Sequence, residues 1–273
     1  MSPTILITGA TDGIGLEAAK QLAAGGHRLL LHGRNPTKLA AAAETVRSAG
    51  SGRGDEVETV VADLSRVDDV ERMAATLTER GAQLDVLINN AGVLRTPEPI
   101  TDIGLDVRFV VNTIAPYLLT RRLEPVLGPT ARVVNLSSAA QAPVDVEALA
   151  GRIRIADDMT AYAQSKLALT MWSRHLADEY GDDGPAVIAV NPGSLLATKM
   201  VKDGFGVAGN DIGIGADILA RAALSDEFAS ASGRYFDNDA GRFGPPHPDA
   251  LDPVKNDAVV RSIEAVLADV ERG

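Results

Sequence analysis

Cysteine is absent from this chain of 273 residues. Disulfides, thiolate chemistry and cysteine-bound metals are excluded with it. Histidine is scarce, and His27, His32, His175 and His247 show no metal-ligand spacing, so no metal site is expected. His27 and His32 flank a strand-like run, where packing or exposure is the expected role. Positive charge is also short. Against 37 acidic side chains stand 26 basic ones, a formal net charge of −11. A nucleic-acid partner needs a basic footprint to neutralise phosphates, so none is expected. No apolar run approaches the length of a membrane span. The chain opens MSPTILITGA, with no basic leader region or cleavage site before its first strand-like run. The expectation is a cytoplasmic protein without membrane insertion.

Short, almost wholly apolar runs alternate with helical patterns. Residues 4–8, 27–32, 57–62, 84–90, 131–138, 185–193 and 232–237 read as seven strands. Helical patterns follow the first three, and a long helix runs through VRFVVNTIAPYLLTRRL before the fifth. Strands apolar on both faces belong to a parallel sheet covered by helices on both sides. The βαβα order predicts an α/β fold, doubly wound with right-handed crossovers. No linker, repeat or low-complexity segment appears, so residues 1–273 are expected to form one domain. It would carry a loop over about 194–212 and a C-terminal helix over about 253–271.

The first strand runs into TGATDGIG, with Gly9, Gly13 and Gly15 at the turn. Glycines there let backbone approach a pyrophosphate at a helix N-terminus, although a turn that merely packs helix on sheet would look similar. At the end of the second strand, LHGRNP places Gly33 where an NAD site usually has an acid, and Arg34 follows. A guanidinium grips a 2′-phosphate that a carboxylate would repel, which favours NADP(H) over NAD(H) unless Arg34 is only a solvated turn residue. Further on, TAYAQSKLAL sets Tyr162 and Lys166 one helical turn apart on one face. Alone, that pair is commonplace in helices.

Together these stretches resemble the short-chain dehydrogenases/reductases. TGATDGIG is similar to that family's TGxxxGxG loop, ADLS to its adenine-side motif, NNAG to the motif after strand four and NPG to the loop after strand six. VVNTIAPYLLT places Asn112 like the helix asparagine, NLSS places Ser138 like the active serine, and YAQSK matches YxxxK. The motifs stand in family order between residues 8 and 193. SGRYFDND and PPHPDALD narrow the likeness to retinol-dehydrogenase-like, NADP-dependent reductases.

The resemblance implies a Rossmann-type sheet and a catalytic set of Asn112, Ser138, Tyr162 and Lys166. It implies cofactor contacts from Gly9, Thr11, Asp12, Gly13, Ile14, Gly15, Arg34, Asn35, Asp63, Leu64, Asn90, Ala91, Gly92, Tyr162, Lys166, Pro192 and Gly193. The family's P-G-x-x-x-T would put threonine at 197, where Ala197 stands, so Thr198, one residue later, is assigned the nicotinamide contact. Tyr162 would protonate the substrate oxygen and Ser138 would hydrogen-bond it. A nearby ammonium is expected to lower the tyrosine pKa by roughly 1–3 units. Asn112 would hold a water feeding protons to Lys166. Leu195, Leu196, Met200, Val201 and Phe205, with Leu94, Ala139 and Ala140, suggest an apolar carbonyl or alcohol as substrate, unless the loop packs only on its own core. Trp172 is read as core packing. Homodimers and homotetramers both occur in the family and stay open here. The competing reading is an NADP(H)-binding redox sensor without turnover, which the retained tyrosine and lysine disfavour. A sugar-nucleotide epimerase would need more than the roughly eighty residues after NPG.

Overall fold

The computed structural model describes residues 2–50, 57–81, 83–206 and 208–272, without the side chains of 203–205. Strands β1 (Thr4–Ile7), β2 (Arg28–Gly33), β3 (Val57–Val61), β4 (Leu84–Asn89), β5 (Leu127–Leu136), β6 (Ala186–Asn191), β7 (Tyr235–Asp237) and β8 (Arg242–Gly244) form one sheet in the order β3-β2-β1-β4-β5-β6-β7-β8. All neighbours run parallel except β7 and β8. The order reverses at β1, which pairs with both β2 and β4. The crevice beyond the carboxyl ends of β1 and β4 is therefore the switch point at which such sheets bind ligands.

Seven strands were expected and eight are present. The eighth hides in the Pro/Gly-rich GRFGPP stretch because three residues are too few to show a period. Gly241, at φ 65°, helps turn the chain back, and Phe243 packs on Phe228 and Phe236 at ring distances of 5.1 and 5.0 Å. Arg234 lies over the same ring at 4.0 Å, covering the edge of the sheet.

The helices are α1 (Gly13–Ala24), α2 (Pro36–Ala49), α3 (Val67–Glu79), α4 (Val107–Phe109), α5 (Ala115–Leu123), α6 (Val146–Leu149), α7 (Asp158–Tyr180), α8 (Lys199–Phe205), α9 (Ile212–Leu224) and α10 (Pro253–Arg272). Side-chain alternation along the strands feeds two cores. Leu6, Leu87, Val133 and Val187 face α3, α5, α7 and α10, whereas Ile5, Ile7, Ile88, Val134 and Ile188 face α1, α2 and α9. Trp172 is fully buried and meets Tyr117 edge-on at 5.7 Å.

The long helix expected over 107–123 is present but is not α-helical throughout. Between α4 and α5 the residues Val110–Ile114 form a π turn, in which the N–H of Ala115 bonds the carbonyl of Val110 five residues back. Pro116 explains the break: it has no N–H for the carbonyl of Asn112, four residues earlier. No helix among the described residues is long and apolar enough to cross a membrane.

Candidate active site

A cavity of about 670 Å³ opens at the switch point and runs from Arg34 and Lys38 at one end to Tyr162 and Lys166 at the other. Its glycine floor is required by close approach. A Cβ on Gly9, at φ 66°, would stand 2.9 Å from the Cα of Ala91. One on Gly15 would stand 2.4 Å from Nδ2 of Asn90. That amide donates to the carbonyls of Thr8 and Gly9 at 2.8 and 3.1 Å, tying β4 to the glycine turn. Asp12 caps α1 by accepting the N–H of Gly13 at 2.7 Å.

Gly33 is crowded where an acid would stand: a Cβ there would meet Cγ2 of Thr11 at 2.4 Å, so the threonine would have to shift. The cavity instead presents the exposed side chains of Arg34 and Lys38. Lys38 was not anticipated; it lies in the first turn of α2, while Arg34 precedes the Asn35 cap, and both line the cavity. Asn35 lines the same end and caps α2, accepting from Lys38 N–H at 3.0 Å. With Lys166 and Lys199, four cations and only two carboxylates, Asp12 and Asp63, line the cavity of an acidic chain. That charge balance suits an anionic ligand.

His32 was read as a packing residue, and it does more. Its Nδ1 accepts the N–H of Gly9 at 3.2 Å and its Nε2 lies 3.0 Å from the carbonyl of Ala62, so the neutral ring with hydrogen on Nε2 bridges the glycine turn to the end of β3. Burial lowers its pKa to about 4, outweighing the bond to Ala62.

At the far end α7 carries Tyr162, Ser165 and Lys166 towards β5. Lys166 is buried and donates from Nζ to the carbonyl of Leu136 at 2.7 Å. Burial lowers its pKa to about 8. Burial raises the pKa of Tyr162, and the nearby Ser138 side chain opposes the rise. The expected lowering by Lys166 is thus reversed. The ammonium lies 5.8 Å from the ring centroid and points at a carbonyl, so removal from water dominates.

Not every expected residue reaches the cavity wall. Thr11, Ile14, Leu64, Asn90, Ala91, Gly92, Pro192 and Thr198 do, whereas Gly15, Asn112, Ser138 and Gly193 do not. Gly193 starts the loop after β6 at φ 119°. Asn112 is fully buried; its side chain is spent on both main-chain groups of Val93, at 2.8 and 2.9 Å, and on Ser165 Oγ at 2.9 Å. The loop after β6 crosses the site. Thr198 caps α8 by accepting from Val201 N–H at 3.2 Å, and its methyl lies 3.7 Å from a Cβ built on Gly13. Met200 reaches the wall together with Val93, while Leu94 and Leu196 are buried and Leu195 and Ala139 are exposed. The side chain of Phe205 lies outside the described residues.

Comparison with known proteins bears on the fold and the family. The short chain dehydrogenase family matches residues 3–205. The chain belongs to that family. This short-chain dehydrogenase is 31% identical to human retinol dehydrogenase 13 over 252 residues, covering 86% of the chain and 76% of the relative. It is also similar to a short chain dehydrogenase from Burkholderia cenocepacia in complex with NADP, with TM-score 0.69, 26% identity and coverage of 86% and 95%. Landomycin C-6 ketoreductase with bound NADP and rabelomycin superposes with TM-score 0.66 at 29% identity, covering 86% of this chain and 94% of that one. The family assigns the chain to the oxidoreductases and agrees with a parallel sheet flanked by helices.

Proposed function

We propose that this chain is an NADP(H)-dependent oxidoreductase that interconverts a hydrophobic ketone or aldehyde and its alcohol, with Tyr162 moving the proton. One observation carries the reading. A single cavity joins a cationic, glycine-floored end at Arg34 and Lys38 to an end formed by half-buried Tyr162 and buried Lys166. The residues fit the cofactor: Gly9 and Gly15 leave backbone bare, Gly33 carries no acid, and Arg34 and Lys38 offer two cations for a 2′-phosphate. Asp63 and Leu64 would flank the adenine, and Asn90, Ala91, Gly92 and Pro192 the nicotinamide half. The likeness to two NADP complexes supports the same choice.

The bound nicotinamide supplies or takes up a hydride at the carbonyl carbon. Tyr162 donates its phenolic proton to the substrate oxygen during reduction. Its raised pKa keeps it protonated at neutral pH, as that direction requires. Ser138, which follows the cavity-lining Ser137, would reach the same oxygen and steady the negative charge that builds on it. Lys166 holds the nicotinamide ribose and passes protons to Tyr162. Because the Asn112 side chain is spent, its main-chain carbonyl, which Pro116 leaves without an α-helical donor, would anchor the relaying water. The Thr198 hydroxyl accepts from Val201 and keeps its proton for the carboxamide. Val93, Val111, Leu136 and Met200 line the cavity and suit an apolar substrate better than a sugar or phosphate. The whole chain would act as one unit, with 194–212 as its substrate loop.

The test is oxidation of NADPH, compared with NADH, against aromatic, aliphatic, steroid-like and retinoid-like carbonyls, with Tyr162→Phe alongside. The expected outcome is turnover that prefers NADPH and falls by about 10²–10⁴-fold in the variant, with NADPH binding retained. Turnover that survives in Tyr162→Phe removes the tyrosine from the mechanism. Tight NADPH binding without any turnover returns the redox-sensor reading.

A further inference from the structure

The main-chain carbonyl of Ser138 accepts from two side chains brought in from elsewhere. Gln141 donates from Nε2 at 3.0 Å, and Tyr235, at the start of β7, donates from its hydroxyl at 3.1 Å. Gln141 reaches in both directions. Its Nε2 also lies 3.3 Å from Ser137 Oγ, and its Oε1 accepts the N–H of His247 at 3.2 Å. The amide therefore straps the exit of β5 to the Pro-rich tract before α10, 106 residues further along the chain. Ser138 Oγ accepts the N–H of Ala140 at 3.1 Å, and the serine stands close enough to Tyr162 to oppose the rise in its pKa.

These bonds divide the work of orienting one hydroxyl. Two donors on a carbonyl hold the peptide plane after Ser138 and so fix its ψ. The Ala140 N–H then selects the side-chain rotamer, and the hydroxyl proton stays free for another acceptor. Without the two donors the peptide plane would be free to turn, because Ser138 lies beyond the last residue of β5 and no sheet bond of that strand holds it.

We propose that Gln141 and Tyr235 are positioning residues that act on the reaction through the Ser138 carbonyl, and that the β7–β8 hairpin and the 245–251 tract are built to hold this one serine in register with Tyr162. The proposal rests on the reading that Ser138 bonds the substrate oxygen. Neither side chain touches substrate or cofactor, so each should change kcat and leave the KM for NADPH alone.

The experiment is a double-mutant cycle on the full-length chain, using a carbonyl that the wild type reduces. Gln141→Glu keeps the acceptor for His247 but has no proton for the Ser138 carbonyl at neutral pH. Gln141→Met loses both ends, and Tyr235→Phe removes a single oxygen, so it is the variant to rely on if the Gln141 changes impair folding. Each is measured alone and with Ser138→Ala. The expected result is a fall in kcat of about 10-fold for each single variant, in line with the sensitivity of rate to small misplacements. In the Ser138→Ala background the same changes should alter kcat by less than about two-fold. Equal losses in both backgrounds, or a lowered Tm with unchanged kcat, overturn the positioning role alone. Wild-type turnover in Ser138→Ala overturns the serine's part in the mechanism and the proposal with it.

Discussion

Two buried cations, Arg108 and Lys166, meet burial in opposite ways. Arg108 at α4 is 2% exposed and Lys166 on α7 is 4% exposed. Arg108 grips both oxygens of Asp106 from Nε and Nη2, at 2.8 and 2.6 Å, and bonds Asp158 through Nη1. Its pKa is raised, chiefly by the bond to Asp106, which offsets the burial. Lys166 has a carbonyl and no carboxylate within salt-bridge reach among the described residues, and burial pulls its pKa down to about 8. A paired charge behaves as a structural joint. An unpaired one is a group kept ready to change protonation, and such groups gather at functional sites.

The sharpest way to test the contrast is to cut the joint. Asp158 is the first residue of α7 and stands one turn before Tyr162, so the Arg108 bridge sets the start of the helix that carries the tyrosine. Arg108→Met should destabilise the chain by about 3 kcal/mol. That is the low end for breaking a buried pair, because Asp158 keeps access to water. A urea titration reads the loss. A midpoint within error of wild type would mean that Asp106 and Asp158 find water in place of the guanidinium.

His32 is the intermediate case, a buried titratable group kept neutral. Its pKa drops from 6.5 to about 4 on folding. The unfolded chain therefore takes up a proton between those values while the folded chain does not. The stability tied to the neutral ring is complete above pH 6.5 and is lost as pH falls towards 4, by about 1.4 kcal/mol for each unit. Urea midpoints at pH 7, 6, 5 and 4 should fall more steeply for wild type than for His32→Gln. Parallel curves would place the acid sensitivity on carboxylates instead.

Much of the candidate site was legible in the sequence because its chemistry follows strand ends. The TGATDGIG, NNAG, NLSS and NPG stretches each follow an apolar run, and a parallel sheet brings its carboxyl ends together. What escaped depends on long-range contact or on elements too short for a period. The three residues of β8 carry no alternation, and the π turn appears only once Pro116 is set against the carbonyl four residues earlier. Nothing local marks Arg108 for burial; its partner Asp158 lies fifty positions away. Gln141 lies in an apolar-looking SSAAQAP run, and its partner at His247 has no local mark. Leu94 and Val93 could not be told apart by pattern: adjacent residues face opposite ways, and Val93 reaches the cavity while Leu94 is buried.

The smallest expected effect on stability is the most telling about Lys166. At pH 7, below its pKa of about 8, the side chain is charged in the fold without a carboxylate partner. The folded chain releases that proton earlier than the unfolded one, whose lysine holds it to about 10.5. The cost of burying the charge is thus fully present below pH 8 and is relieved as pH climbs from 8 towards 10.5. Lys166→Met fills the same space without the charge and forfeits the bond to Leu136. The net gain should be about 1 kcal/mol at pH 7, a rise in Tm of roughly 2 °C. The advantage should narrow above pH 8, while turnover is lost throughout. Arg108→Met should show the reverse, a lower Tm with proton transfer chemically intact in whatever fraction stays folded. If Lys166→Met instead melts below wild type at pH 7, the bond to Leu136 outweighs the buried charge, and Lys166 belongs with Arg108 among the structural joints.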